Sequence, residues 1–201
     1  MRKTLTLIAL GALLAAVPAA AQGTYSIDTA HSNVGFKIRH LVARVSGEFT
    51  EFDGTIVTDF RNLDASSVEF TITTASIDTD NEKRDGHLRS ADFFDAENYP
   101  EITFKSSKIT KKDDDTYVVA GILNIRGVAQ PVILNVDYLG EMQAMGGIRA
   151  GYEVSTILNR QDFGVSWNRT LDQGGVLLGD DVEVTINLEV VKQEAENNSQ
   201  F

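Results

Sequence analysis

Apolar and polar residues alternate at period two across nearly the whole span from Tyr25 to Val191. Val34, Phe36, Ile38 and His40 make one stripe, with Lys37, Arg39 and Leu41 on the other register. Val68, Phe70 and Ile72 make a second, Ile102 and Phe104 a third, and Val132, Leu134, Val136 and Tyr138 a fourth. Val182, Val184, Ile186, Leu188 and Val190 make a fifth. Successive side chains of a strand point to opposite faces, so each stripe is one face of an extended segment. No segment carries a long apolar repeat of about 3.6 residues. The pattern therefore predicts an all-β chain of antiparallel strands, each with one buried face and one wet face.

Turn signals fall at Asp53-Gly54, Gly127, Gly140, Gly146-Gly147 and Gly174-Gly175, and these are the expected chain reversals. Asp113-Asp114-Asp115 lacks the spacing and closing glutamate of a calcium loop and reads as a hairpin loop. Only residues 80–98, DNEKRDGHLRSADFFDAEN, break the alternation. The helical spacing of Arg84, Leu88 and Ala91 predicts one or two short helices there, with Phe93 and Phe94 turned back onto the core. About eight strands with one helical excursion favour a closed barrel over a sandwich, because closure removes exposed edges. A barrel of about eight strands either packs solid or holds one small ligand, and the pattern leaves both open.

The chain opens with Met1-Arg2-Lys3, an apolar run from Leu5 to Val17, and small residues at Ala19 and Ala21. That is the layout of a secretion signal, with cleavage expected after Ala21; the run falls short of the about 20 apolar residues of a membrane span. Residues 1–21 are thus expected to be a leader, 22–192 one barrel domain, and 193–201 a polar tail. An exported, periplasmic protein is the expectation. The chain has no cysteine, which excludes a disulfide framework and a lipid-modified N-terminal cysteine. The formal charge of −11 becomes −13 without Arg2 and Lys3. Such a surface disfavours nucleic acid and stable docking on anionic membranes. It neither demands nor forbids a homodimer.

Several segments together resemble the YceI-like family of exported, lipocalin-like proteins. They are Asp28-x-x-His31-Ser32-x-Val34-x-Phe36 with His40-Leu41, and Val45-x-Gly47-x-Phe49-x-x-Phe52-x-Gly54-x-Ile56. Further on come Ser76-Ile77-Asp78-Thr79, Arg84-Asp85-x-His87-Leu88 and Phe93-Phe94-Asp95. Tyr99-Pro100-x-Ile102-x-Phe104, Gly127-Val128-x-x-Pro131-Val132 and Arg160-x-Asp162-Phe163-Gly164 complete the set. The likeness spans nearly all of the expected mature chain; Asn124 and Ala129 stand where the family is expected to carry threonine. It implies an extended lipocalin-like barrel with an apolar pocket for a polyisoprenoid lipid, either a prenyl phosphate or an isoprenoid quinone. No cofactor is expected beyond a bound prenyl lipid or isoprenoid quinone.

The expected pocket residues are Phe36, Ile38, His40, Phe49, Phe52, Phe70, Phe93, Phe94, Phe104, Phe163, Trp167 and Arg84. His40 is open to two readings: a contact to a ligand headgroup, or a buried histidine satisfied by backbone or by Ser32. Arg84, His87 and Arg89, like Lys37, Arg39 and Arg160, suit either a phosphate or an ion-pair network. His31 and Ser32 are neighbours and would point to opposite faces of a strand, which argues against a nucleophile–base pair with Asp28. His31, His40 and His87 show no metal-ligand spacing, and no metal or catalytic residue is expected. The competing functions are an enzyme acting on an isoprenoid or quinone, and a ligand-free barrel serving a partner or a stress response.

Overall fold

The computed structural model describes residues 23–172 and 174–194. The expected leader and residues 195–201 of the expected tail lie outside the described residues. The strands are β1 Gly23–Ile27, β2 Asn33–His40, β3 Ala43–Phe49, β4 Phe52–Thr58, β5 Ser67–Thr73 and β6 Ile77–Asp78. After the helix α1, Glu82–Arg89, follow β7 Glu101–Lys111, β8 Thr116–Ile125, β9 Val128–Ala144, β10 Gly147–Asn159 and β11 Leu178–Lys192. All pairings are antiparallel.

Eight strands, in the order β1-β4-β5-β7-β8-β9-β10-β11, close into a barrel when β1 pairs with β11. The expected barrel of about eight strands is therefore present. The three further strands arise because wall positions are interrupted. The edge of β11 that carries β1 at Val190–Lys192 carries β2 further along, between Val182 and Asn187. Strands β2, β3 and β6 continue the wall at this upper end, and β6 pairs with β3. Beyond β6, the wall is completed by α1 and the segment after it. Arg89 holds the carbonyls of Ala75 and Ile77, and Arg126 holds those of Ala91 and Gly164.

The break between β1 and β2 is pinned electrostatically. Asp28 caps the short turn by accepting from the Ala30 amide at 3.1 Å, and Ser32 bridges the Glu189 backbone through both its N–H and its carbonyl. Arg149 donates to Asp28 at 2.6 Å and to Glu189. The Arg149 guanidinium, helped by His31, lowers the Asp28 carboxyl from 3.8 to about 2. A carboxyl held below its unfolded value stabilises the fold above the unfolded pKa and loses that contribution as pH falls toward the folded one. Asp28→Asn is thus expected to flatten the pH dependence of Tm between about pH 4 and about pH 2. A variant whose acid profile tracks the wild type would show that the ion pair contributes nothing.

Two expected turns are real hairpins: Arg126-Gly127 and Met145-Gly146 both take positive φ, as two-residue hairpin turns require. Two others are not turns. Asp53-Gly54 lies inside β4, where a Cβ on Gly54 would stand 2.6 Å from the Glu69 carbonyl and 3.0 Å from the Phe70 ring. Gly140 lies inside β9 at φ 110°, opposite a register shift between Gly151 and Tyr152, and makes a bulge.

The barrel is packed at one end and hollow at the other. At the lower end Tyr25, Ile56, Val119, Tyr152, Leu188 and Val190 are buried in one core. Tyr138 lies 5.4 Å from Tyr152, and Phe60 packs on both Tyr138 and Tyr117. Burial, reinforced by Glu141, pushes the Tyr138 phenol up to about 12, so this aromatic floor stays neutral. Higher up, Leu123, Ile125, Leu134, Leu158, Val184 and Ile186 keep the inward register of their strands yet are only half-buried. Inward-facing apolar side chains that remain accessible mark a cavity.

Candidate ligand-binding site

The cavity occupies the upper half of the barrel, with a volume of about 650 Å³, within the usual range for small-molecule sites. Its wall takes the inward stripe of β2, namely Val34, Phe36, Ile38 and His40, together with Val45 and Phe49 of β3. Phe70 and Phe104 stand across from them, and both are also buried core residues. The segment after α1 supplies Phe93 and Phe94. Its fold is fixed locally: the Phe93 amide donates to Ser90 and the Phe94 amide to Leu88. Phe94 then meets Phe49 edge-on at 5.9 Å, while Phe93, His87 and Trp167 cluster at 5.0–5.2 Å. Phe163 closes that corner at 2 % exposure.

Of the residues expected from sequence, Phe36, Ile38, His40, Phe49, Phe70, Arg84, Phe93, Phe94, Phe104, Phe163 and Trp167 line the cavity. Phe52 does not. It is stacked on Phe70 with ring centroids 5.8 Å apart, and packs against the buried core. The aromatics are also less than half of the wall. Leu123, Leu134, Leu158, Val182, Val184 and Ile186 from β8 to β11 form the opposite side. Their stripes are plain in the sequence, but a stripe alone does not separate cavity wall from packed core.

Polar groups gather at the upper end, where Asn81 and Lys83 are exposed and the cavity meets solvent. Most of them already serve the scaffold. Arg160, 6 % exposed, donates to the carbonyls of Gly179, Val165 and Trp167 at 2.6–2.9 Å and to Asp180 at 3.2 Å. Burial lowers its pKa and Asp180 counters that shift. Arg84 is turned onto Thr79, donating to its hydroxyl at 2.7 Å and its carbonyl at 2.6 Å. Asp85 accepts from the same threonine, so α1 is locked to β6. His87 pairs with Asp92 at 3.0 Å. Among the described residues, His40 and Lys83 have no side-chain hydrogen-bond partner, and both face the cavity. Ser32, the neighbour considered for His40, instead bridges Glu189. Lys83 is the residue that sequence reasoning missed, one position from the arginine it favoured.

His31 sits outside the cavity, bonded to Asp28 at 3.1 Å, and its neighbour Ser32 faces elsewhere. Asp28, His31 and Glu189 bring ligand atoms within 4.8 Å of one another, but the Arg149 guanidinium already bonds both carboxylates. The arrangement that remains is a greasy bore with a cationic and an imidazole group at its opening. It suits a long hydrocarbon with one polar end.

The sequence profile of the YceI-like domain matches residues 25–190. The chain belongs to the YceI-like family. This YceI-like chain is 42 % identical over 167 residues to a UPF0312 protein of Photorhabdus laumondii subsp. laumondii, spanning 81 % of this chain and 86 % of that one. Among solved structures, BcnA of Burkholderia cenocepacia superposes with a TM-score of 0.71 at 26 % identity, over 81 % of this chain and 98 % of BcnA. The YCEI protein of Campylobacter jejuni gives 0.66 at 32 % identity, over 84 % and 97 %. A polyisoprenoid binding domain from Saccharophagus degradans, implicated in plant cell wall breakdown, gives 0.63 at 16 % identity, over 84 % and 98 %, and shares the fold. The YceI-like barrel thus recurs in these proteins with the lipocalin-like architecture expected from the sequence.

Proposed function

We propose that this protein binds and carries a polyisoprenoid lipid, a prenyl phosphate or an isoprenoid quinone, after export to the periplasm. The observation that carries the reading is the hollow upper half of the barrel, walled almost wholly by Phe, Leu, Ile and Val. A prenyl tail presents only hydrocarbon, so binding would be driven by burial at about 25 cal/mol per Å² and would need no directional contact along the chain. His40 and Lys83 at the opening are placed to orient a phosphate or a carbonyl head. The polyisoprenoid binding domain with the same fold supports this choice of tail. A ligand-free barrel would be expected to fill its interior with side chains, as the lower half of this one does.

Native mass spectrometry of protein purified gently from its own compartment, with lipid extraction of the same sample, tests the proposal. A stoichiometric prenyl lipid is the expected result. An apo mass that stays empty when prenyl phosphates and quinones are added would sink it.

A further inference from the structure

We infer that the cavity mouth carries a membrane-docking tip, built from the β2–β3 turn and the loop that precedes β11, through which a lipid passes between an anionic bilayer and the bore. The inference rests on the lipid-carrier reading above. Leu41 and Val42 form the turn; Val42 is fully exposed and Leu41 is 40 % exposed. The Leu41 amide donates to the Leu177 carbonyl at 2.9 Å, which fixes the turn beside the neighbouring loop and its exposed Val176. Leu177, Leu178 and His40, directly behind these residues, line the cavity. Apolar residues of the tip therefore lie next in the chain to residues that wall the bore.

The charges around the tip fit a lipid surface. Arg39 lies against the turn, donating to the Leu41 carbonyl at 3.0 Å, and the Arg169 carbonyl accepts from the Leu177 amide. Lys83 stands at the cavity rim. None of these three side chains has a carboxylate partner among the described residues. On the same rim Glu183 is paired with Arg44 and Asp180 with Arg160; Asp172 and Asp181 are open carboxylates there, as are Asp80 and Glu82 beside Lys83, so the cationic excess is confined to the turn with Arg39 and Arg169. The opposite end of the barrel makes the contrast. Its β9–β10 hairpin also exposes Leu139, Met142 and Met145, but it carries Glu141 and has no connection to the cavity. In a chain with net charge −11, the unpaired Arg39 and Arg169 beside the turn are what let this one tip approach anionic headgroups while the body is repelled. Contact by a turn of two apolar residues is shallow and reversible, as a carrier requires.

The test follows uptake of a fluorescent geranylgeranyl phosphate by wild type, Val42→Asp and Met142→Asp. The probe is offered once from vesicles of phosphatidylcholine with one quarter phosphatidylglycerol, and once free in solution. Val42 has no packing to lose, so its variant is expected to fold and to load from solution as wild type does. From vesicles it is expected to load roughly tenfold more slowly, while Met142→Asp matches wild type from both sources. Wild-type loading of Val42→Asp from vesicles would overturn the tip, and so would equal slowing from both sources. If no protein takes the probe from either source, lipid carriage fails. Flotation with the same vesicles then decides the tip alone: it stands if wild type floats and Val42→Asp does not, and falls otherwise.

Discussion

Arg160→Met is expected to lower Tm by roughly 10 °C and to unfasten the upper rim of the barrel. Arg160 is the tie between the end of β10, the start of β11 and the loop carrying Trp167, through three carbonyls and Asp180. Methionine fills similar space but leaves those carbonyls without their donor in a site where water enters poorly. Hydrogen bonds to a charged group are each worth about 1.5–3 kcal/mol and do not add, so a net loss of about 3 kcal/mol is reasonable. In a domain of this size each kcal/mol moves Tm by about 2–4 °C. Trp167 is the only tryptophan, and its ring packs on Phe93 and His87. Its fluorescence therefore reports the loop separately from the melt, and a red shift at room temperature is expected in Arg160→Met. Arg160→Lys keeps the charge without the planar fork and is expected to fall between the two. A variant with wild-type Tm and emission would show that the loop is held by other contacts.

The strands were legible because a half-buried strand writes its two faces directly into the sequence. Val182 to Val190 alternates over nine positions, and a slip of one residue would turn the whole stripe to water. Closure was legible only as a preference. The pairing of Tyr25 with Lys192 joins the two ends of the domain, and no local pattern carries it. The two misplaced turns share a cause. Gly54 is glycine because the Phe70 ring and the Glu69 carbonyl crowd it from the next strand, and Gly140 is a bulge set by the register of β10. In each case the requirement comes from a neighbour distant in sequence, while the local signal matches that of a turn.

The site was legible to a similar depth. Phe52 and Phe70 both point inward from adjacent strands and stack, yet only Phe70 fronts the cavity. Which of two stacked rings meets the void is set by how one ring covers the other, and the alternation along a single strand does not carry that. Arg84 and Lys83 are separated by one helical step, and the N-cap at Asn81 sets the phase of that short helix. That phase turns Arg84 onto Thr79 and leaves Lys83 at the opening. The α1 sequence has too few apolar residues to reveal its orientation by periodicity.

Leu134→Trp combined with Val184→Trp is expected to abolish prenyl-lipid binding without lowering Tm. Val184 is the register partner of Thr156 in β10, and Leu134 follows in line from the pairing of Ser155 with Asn135. The two positions thus stand at about the same height on either side of Thr156, and both face the cavity. Indole rings there project into empty space and constrict the bore, so the added bulk meets a void instead of a packed core. Each tail CH₂ group kept out of the cavity forfeits about 0.8 kcal/mol. Excluding four of them costs about 3 kcal/mol, a loss of affinity exceeding about a hundredfold. Each single substitution should show a smaller loss, which guards against a double variant that folds poorly. Titration with a fluorescent prenyl phosphate, read beside thermal melts, checks both halves of the expectation. Undiminished binding in a correctly folded double variant would move the ligand out of the bore and end the carrier reading. Lost binding with an intact fold would place the tail where the strand pattern, the half-buried apolar wall and the sealed tyrosine floor all require it.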